Sequence, residues 1–125
     1  MWSALVMAVF VNELLNKKSK SVKIAASVTI DGVKYNVTSI GKKAFEGCKK
    51  LKKVTIGNNV KTILANAFAK CKKLKKVTIK SKKLKKVAKG SFKGVKKSCK
   101  IKVPKAKKKA YKKMFKKAKC KAKIK

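Results

Sequence analysis

The chain has 125 residues and 45% of them are apolar, enough for one domain with a core, or for a piece of a longer protein. Its net charge is +37, from 40 basic residues against 3 acids, and every basic residue is lysine. With no histidine, and with Glu13, Asp31 and Glu46 scattered along the chain, general acid–base catalysis lacks its usual groups, so no enzyme is expected. The absence of arginine argues equally against base-specific nucleic-acid readout.

Residues 1–16 open with MWSALVMAVFV, too short for a membrane span, which needs about 20 apolar residues. A signal peptide places its positive charge before the apolar run, whereas here the lysines follow it. We expect residues 1–16 to cap the first coil, with a degenerate signal peptide or a truncation stub as the alternatives. No integral membrane span is expected. Residues 17–125 then read as a single domain.

Within it, residues 17–37 form an opening hairpin. Asp31-Gly32 suits a type I′ turn, which sets Ile30 opposite Val33 and Val28 opposite Tyr35 on one face. This hairpin is expected to close the first edge of the domain or to start its sheet. Asn36-Val37-Thr38 matches a glycosylation acceptor, but so short a motif carries little weight.

From residue 37 the chain repeats itself. AFEGCKKLKKVTI (Ala44 to Ile56) returns as AFAKCKKLKKVTI (Ala67 to Ile79), a period of 23 residues. The recurring residues are Ile40, Ala44, Phe45, Cys48, Leu51, Val54 and Ile56, then Ile63, Ala67, Phe68, Cys71, Leu74, Val77 and Ile79. A divergent third copy follows, carrying Val87, Ser91, Phe92, Val95, Ser98, Ile101 and Val103. The three copies occupy residues 37–59, 60–83 and 84–103. Apolar positions persist while polar ones drift, as they do when each copy buries the same side chains against its neighbours and none can stand alone. Val54 and Ile56 alternate inward at strand spacing, and Lys53, Thr55 and Gly57 point outward. The three-residue spacing of Phe45, Cys48 and Leu51 suits a short helical turn. Phe45, Cys48, Leu51, Val54, Ile56, Phe68, Cys71, Leu74, Val77, Ile79, Phe92, Ile101 and Val103 form the expected core.

Pro104 opens a helix over residues 104–118, since proline suits the first helical position. Ala106, Ala110, Tyr111, Met114, Phe115 and Ala118 line one stripe. The plainer expectation is a helix capping the last coil; the sharper one is a basic amphipathic helix on anionic membranes. Residues 119–125 read as a frayed tail.

The spacing Ile40-Gly41-x-x-Ala44-Phe45-x-x-Cys48-x-x-Leu51-x-x-Val54-x-Ile56, nearly repeated one period later, resembles the BspA-like (treponemal-type) leucine-rich repeats of bacterial cell-surface proteins. The resemblance implies a leucine-rich repeat solenoid, mainly β with short helical turns, an N-terminal β-hairpin and a C-terminal capping helix. It also implies an extracellular or cell-surface location and binding or adhesion to host proteins, matrix or other cells. It brings no catalytic residues and no cofactor. With no convincing signal peptide in the chain, a cytoplasmic location stays open.

Cys48, Cys71, Cys99 and Cys120 lie 23, 28 and 21 residues apart, without a Cys-x-x-Cys pair, which disfavours a zinc site. Cys48 and Cys71 share one repeat position and are expected to be stacked buried thiols. A disulfide is the alternative, because neighbouring strands lie about 4.8 Å apart, within the Cα range a disulfide accepts. Cys120, placed in the tail, is the expected reactive thiol.

Register makes the lysines more than a solvated face. If the copies stack, Lys53, Lys76 and Lys100 align in one outward ladder. Thr55, Thr78 and Lys102 form the next, and Gly57, Lys80 and Pro104 the third. Like charges directly opposite across strands are destabilising, so solubility alone does not account for such a row. These rows are the candidate binding surface. The expected partners are anionic polymers (wall polymers, sulfated or acidic glycans) or host and matrix proteins. Two alternatives remain: an intracellular protein binding nucleic acid nonspecifically, or a structural spacer from a larger surface protein.

Overall fold

The computed structural model describes residues 20–125, and the expectations for residues 1–16 lie outside the described residues. The chain forms a solenoid of stacked coils. In order come β1 (Ser21–Ile24), β2 (Ser27–Ile30), β3 (Val33–Asn36), β4 (Ser39–Ile40), β5 (Lys53–Ile56), β6 (Thr62–Ile63), β7 (Lys76–Ile79), β8 (Lys86–Val87) and β9 (Lys100–Lys102). A 3₁₀ turn (Lys105–Lys107), the helix α1 (Lys108–Lys117) and β10 (Lys123–Ile124) complete the described residues.

Among the described residues the strands make three sheets. The main sheet is parallel, in the order β1-β5-β7-β9-β10; a minor parallel sheet follows β4-β6-β8; β2 and β3 pair only with each other. The coils opened by β1, β5 and β7 each add a two-residue strand (β4, β6, β8) to the minor sheet, whereas β9 is followed by the helix and then by the short β10.

The repeated apolar residues are stacked in columns between the two sheets. Val22, Val54, Val77, Ile101 and Ile124 align across the main sheet. Ile40 and Ile63 align in the minor sheet, with Val87 next. Phe45 and Phe68 stack with ring centroids 5.2 Å apart, and Phe68 and Phe92 at 5.1 Å. Phe45, Cys48, Leu51, Val54, Ile56, Phe68, Cys71, Leu74, Val77, Ile79, Phe92, Ile101 and Val103 are all buried. The same side chain meets its own kind in the next coil, so one good fit is used several times.

The segment carrying Phe45 and Cys48 is a run of tight turns and not a helix. The amides of Ala44, Cys48 and Leu51 each donate three residues back, to Gly41, Phe45 and Cys48. Residues in the left-handed region interrupt any helical continuation: Lys43, Asn66 and Gly90 at one place in each coil, and Gly47, Lys70 and Gly94 at another. The turns are tied between coils as well, by Phe45 N–H to Ala67 O and Phe68 N–H to Ser91 O, each 2.7 Å.

The ends differ from the sequence expectations. Asp31 and Gly32, at φ 52° and 78°, form the expected left-handed turn, with Val28 opposite Tyr35 and Ile30 opposite Val33. The hairpin does not start the main sheet, however; β1 does, and Val33 is left 51% exposed. In the third copy Ser98 is exposed and Cys99 takes the buried place beneath the strand, although Phe92 and Ile101 keep the spacing of Phe45 and Val54. Residues 119–125 are not frayed: β10 pairs in parallel with β9.

The helix closes the last coil. Tyr111, Phe115 and Ala118 are buried against it, whereas Ala106 and Ala110 are exposed, so the apolar stripe is narrower than the sequence suggests. Phe115 extends the phenylalanine stack, 5.5 Å from Phe92. Tyr111 is fixed by two hydrogen bonds: its hydroxyl donates to Ser81 O at 2.7 Å and accepts from Leu84 N–H at 3.1 Å. Burial pushes the pKa of this phenol up. The face a membrane-lying helix would need is thereby spent on the protein's own core, which removes the basis for the amphipathic membrane expectation. Among the described residues no helix is long and apolar enough to cross a membrane.

Candidate anion-binding surface

A strand sends alternate residues to opposite faces, so burying Val54 and Ile56 forces Lys53 and Thr55 outward. Parallel pairing without a register shift then repeats this choice from coil to coil. Lys53 aligns with Lys76, Lys76 with Lys100, and Lys100 with Lys123, and all four are exposed. The second row runs Lys23, Thr55, Thr78, Lys102, with both threonines half-buried between exposed lysines.

The third row does not form as expected. Gly57 is buried, because the backbone between β1 and β2 closes over it. A Cβ there would stand 2.5 Å from Ile24 O and 2.8 Å from the carbonyl carbon of Ala25. Lys80 lies just past β7, exposed, its amide bonded to Ile56 O at 3.0 Å. Pro104 is half-buried where the chain turns toward the helix.

The structure thus brings Lys53, Lys76, Lys100, Lys102, Thr55 and Thr78 onto one sheet face and adds Lys23 and Lys123, which the repeat alignment missed. A signal for both was present. Val22-Lys23-Ile24 copies the strand pattern ahead of the first repeat, and Lys123-Ile124-Lys125 restates Lys100-Ile101-Lys102.

Toward the C-terminal edge the cations converge. Lys75, Lys76, Lys100, Lys102 and Lys125 line a shallow depression of about 470 Å³. Lys100 is the main cause of a lowered pKa at Lys125, with Lys123 contributing less. Neighbouring ammonium groups disfavour one another's charged form, a repulsion that an anion placed among them would relieve. A larger recess of about 650 Å³ lies between the third turn and the end of α1, around Phe92, Gly90, Gly94 and Lys119.

The cysteines take no part in this face. All four are thiols, and Cys48, Cys71 and Cys99 are buried. Cys71 donates to Phe45 O at 3.1 Å, and the neighbouring Cys48 together with burial pushes its pKa up. Burial, with a smaller contribution from Cys120, raises Cys99 to about 11. Cys120 is half-buried and also raised by burial, which is the opposite of the reactive thiol expected from the sequence. Among the described residues no group of three or more histidine, cysteine or acidic side chains could hold a metal ion.

Two solved structures resemble this chain. A leucine-rich cell-surface protein from Faecalibacterium prausnitzii A2-165 is similar with a TM-score of 0.57 and 26% identity, over 70% of this chain and 30% of that one. A leucine-rich repeat protein from Bacteroides ovatus ATCC 8483 is similar with a TM-score of 0.50 and 26% identity, over 69% of this chain and 30% of that one. The chain therefore spans about 30% of the length of either neighbour. Comparison with curated proteins finds no match. The family model for BspA-type leucine-rich repeat regions matches residues 17–124 in 6 copies, reaching through the terminal segments that sequence reading set apart as hairpin and helix. The chain belongs to the BspA-type leucine-rich repeat family.

Proposed function

We propose that this protein is a non-catalytic binding and adhesion module of the cell surface, holding anionic polymers on the lysine-bearing face of its main sheet. The observation that carries this reading is the row Lys53–Lys76–Lys100–Lys123, like charge set against like charge on successive strands with no acid among them. Such a row opposes folding, and a polyanion laid along it turns the repulsion into attraction. The likeness to a bacterial cell-surface protein supports the location.

Retention on sulfated-polymer beads tests it. The protein should bind firmly at low salt and elute before about 0.5 M, where the screening length falls to a few ångströms. Replacing Lys53, Lys76 and Lys100 together by glutamine should lower the eluting salt more than replacing Lys112, Lys113 and Lys116 on the helix. Equal retention at low and high salt would sink the proposal. Nucleic acid will also bind in a tube at this charge, so fractionation of cells decides that alternative: a wholly cytoplasmic protein would favour it.

A further inference from the structure

We infer that the sheet face is built for a linear acidic glycan with one carboxylate on every sugar, lying across the strands along the stacking axis. This rests on the polyanion reading above and narrows it. Three features of the face point to this polymer.

The first is spacing. Parallel strands advance by about 4.8 Å, so the exposed row Lys53–Lys76–Lys100–Lys123 offers one cation per coil at that repeat. An extended polyuronate advances by nearly one coil per sugar, so its linear charge density matches that of the row, and the long, flexible lysine stems can follow carboxylates that turn to alternate sides. One strand of duplex DNA carries a phosphate every ~3.4 Å and winds away from a straight row. Inorganic polyphosphate is denser still, and leaves part of its charge unmatched.

The second is the adjoining row. Two residues along the strand, and so on the same face, Thr55 and Thr78 stand side by side between Lys23 and Lys102. A sugar ring carries hydroxyls beside its carboxylate, and a row of threonine hydroxyls beside a row of ammonium groups matches that pairing. Polyphosphate has no hydroxyl to offer there.

The third is the landing point. The depression among Lys75, Lys76, Lys100, Lys102 and Lys125 sits where the two rows meet the last strand, and it has a lysine on every side. It can take a carboxylate with more than one cation contact and so fix one end of the polymer.

Calorimetric titration of the protein with oligogalacturonates, from the disaccharide to the octasaccharide, tests this at low salt. Affinity should climb with each sugar until the row of four lysines is filled and then flatten. Exchanging Lys76 and Lys100 for glutamine should weaken the tetrasaccharide by about tenfold or more. The pair Thr55→Val and Thr78→Val should weaken it by about fivefold, and leave inorganic polyphosphate binding unchanged. Hyaluronate, with a carboxylate on alternate sugars only, should bind more weakly at equal charge concentration. If hyaluronate and polyphosphate bind as tightly per charge, or the threonine pair has no effect on the glycan, the inference fails and the polyanion reading stands. If none of the polymers binds at low salt, the polyanion reading itself is overturned.

Discussion

The two faces of the main sheet are made by the same strands, from alternate residues of the same repeat, and they behave oppositely. On the inner face, repetition multiplies attraction: Val22, Val54, Val77, Ile101 and Ile124 align, and the phenylalanine rings stack beside them. On the outer face, it multiplies repulsion among Lys53, Lys76, Lys100 and Lys123. A solenoid has no means of favouring one face over the other, since its register copies whatever the repeat says. The inner columns are what folding requires. The outer row is retained at a cost, which is why it is the place to look for a partner.

The largest effect should come from breaking the inner column at its middle. Phe68 is fully buried and stacks on Phe45 and Phe92 from both sides. Phe68→Ala should cost about 3–5 kcal/mol, since the rings above and below are held by their own coils and cannot collapse into the gap. Chemical denaturation should show it as a large drop in midpoint, or as loss of folding altogether. A loss under about 1 kcal/mol would mean that the coils do not support one another through this stack.

Gly57 tests how tightly the first strand is clamped to the stack. Its missing Cβ leaves room for the backbone of Ile24 to Ala26, so Gly57→Ala should destabilise by about 1–3 kcal/mol. Backbone cannot move aside as a side-chain tip can. Hydrogen exchange should then show faster exchange in β1, while β7 and β9 keep their protection.

The ease with which these columns are read from sequence has a plain cause, and so do the gaps. Phe45, Leu51, Val54 and their successors recur because each must fill the same hole, so the period is visible wherever the coil is regular. β1 escaped because the hairpin is inserted after it: Val22 pairs with Val54, much further along than one period. Phe115 escaped because the rung sits on a helix, where the surrounding spacing is three and four residues. β4, β6 and β8 have two residues each, too few for alternation to register. The shift from Ser98 to Cys99 is invisible to alignment, since Phe92 and Ile101 on either side keep the spacing of Phe45 and Val54. For the candidate surface, the ladder Lys53–Lys76–Lys100 follows directly from the period, but its extension to Lys123 needs the last strand, which is set off by the helix.

Two buried serines sharpen the account of the inner face. Ser81 donates to Val60 O at 2.6 Å and accepts from Lys83 N–H at 3.1 Å, so its burial is compensated. Ser91 stands where the other coils have Ala44 and Ala67, and its buried Oγ has no hydrogen-bond partner among the described residues. Ser91→Ala should therefore stabilise the protein by about 1 kcal/mol, read as a higher denaturation midpoint with an unchanged slope. Ser81→Ala should do the reverse.

The smallest expected effect is the most informative about the outer face. Lys76 lies between Lys53 and Lys100. Two ammonium groups at about 4.8 Å in water repel by about 1 kcal/mol, less once the flexible stems splay apart. Lys76→Glu replaces two such repulsions by two attractions and should raise stability by about 0.5–1 kcal/mol at low salt. Thermal melts in a salt series separate this from any change in packing. The gain should shrink steadily as salt rises and nearly vanish by about 0.5 M, because these charges are exposed and fully open to screening. The same substitution should weaken polyanion binding. A residue whose removal makes the fold more stable and the complex weaker belongs to the ligand rather than to the fold. If Lys76→Glu destabilises the protein equally at all salt concentrations, the row is structural, and the proposed surface loses its central member.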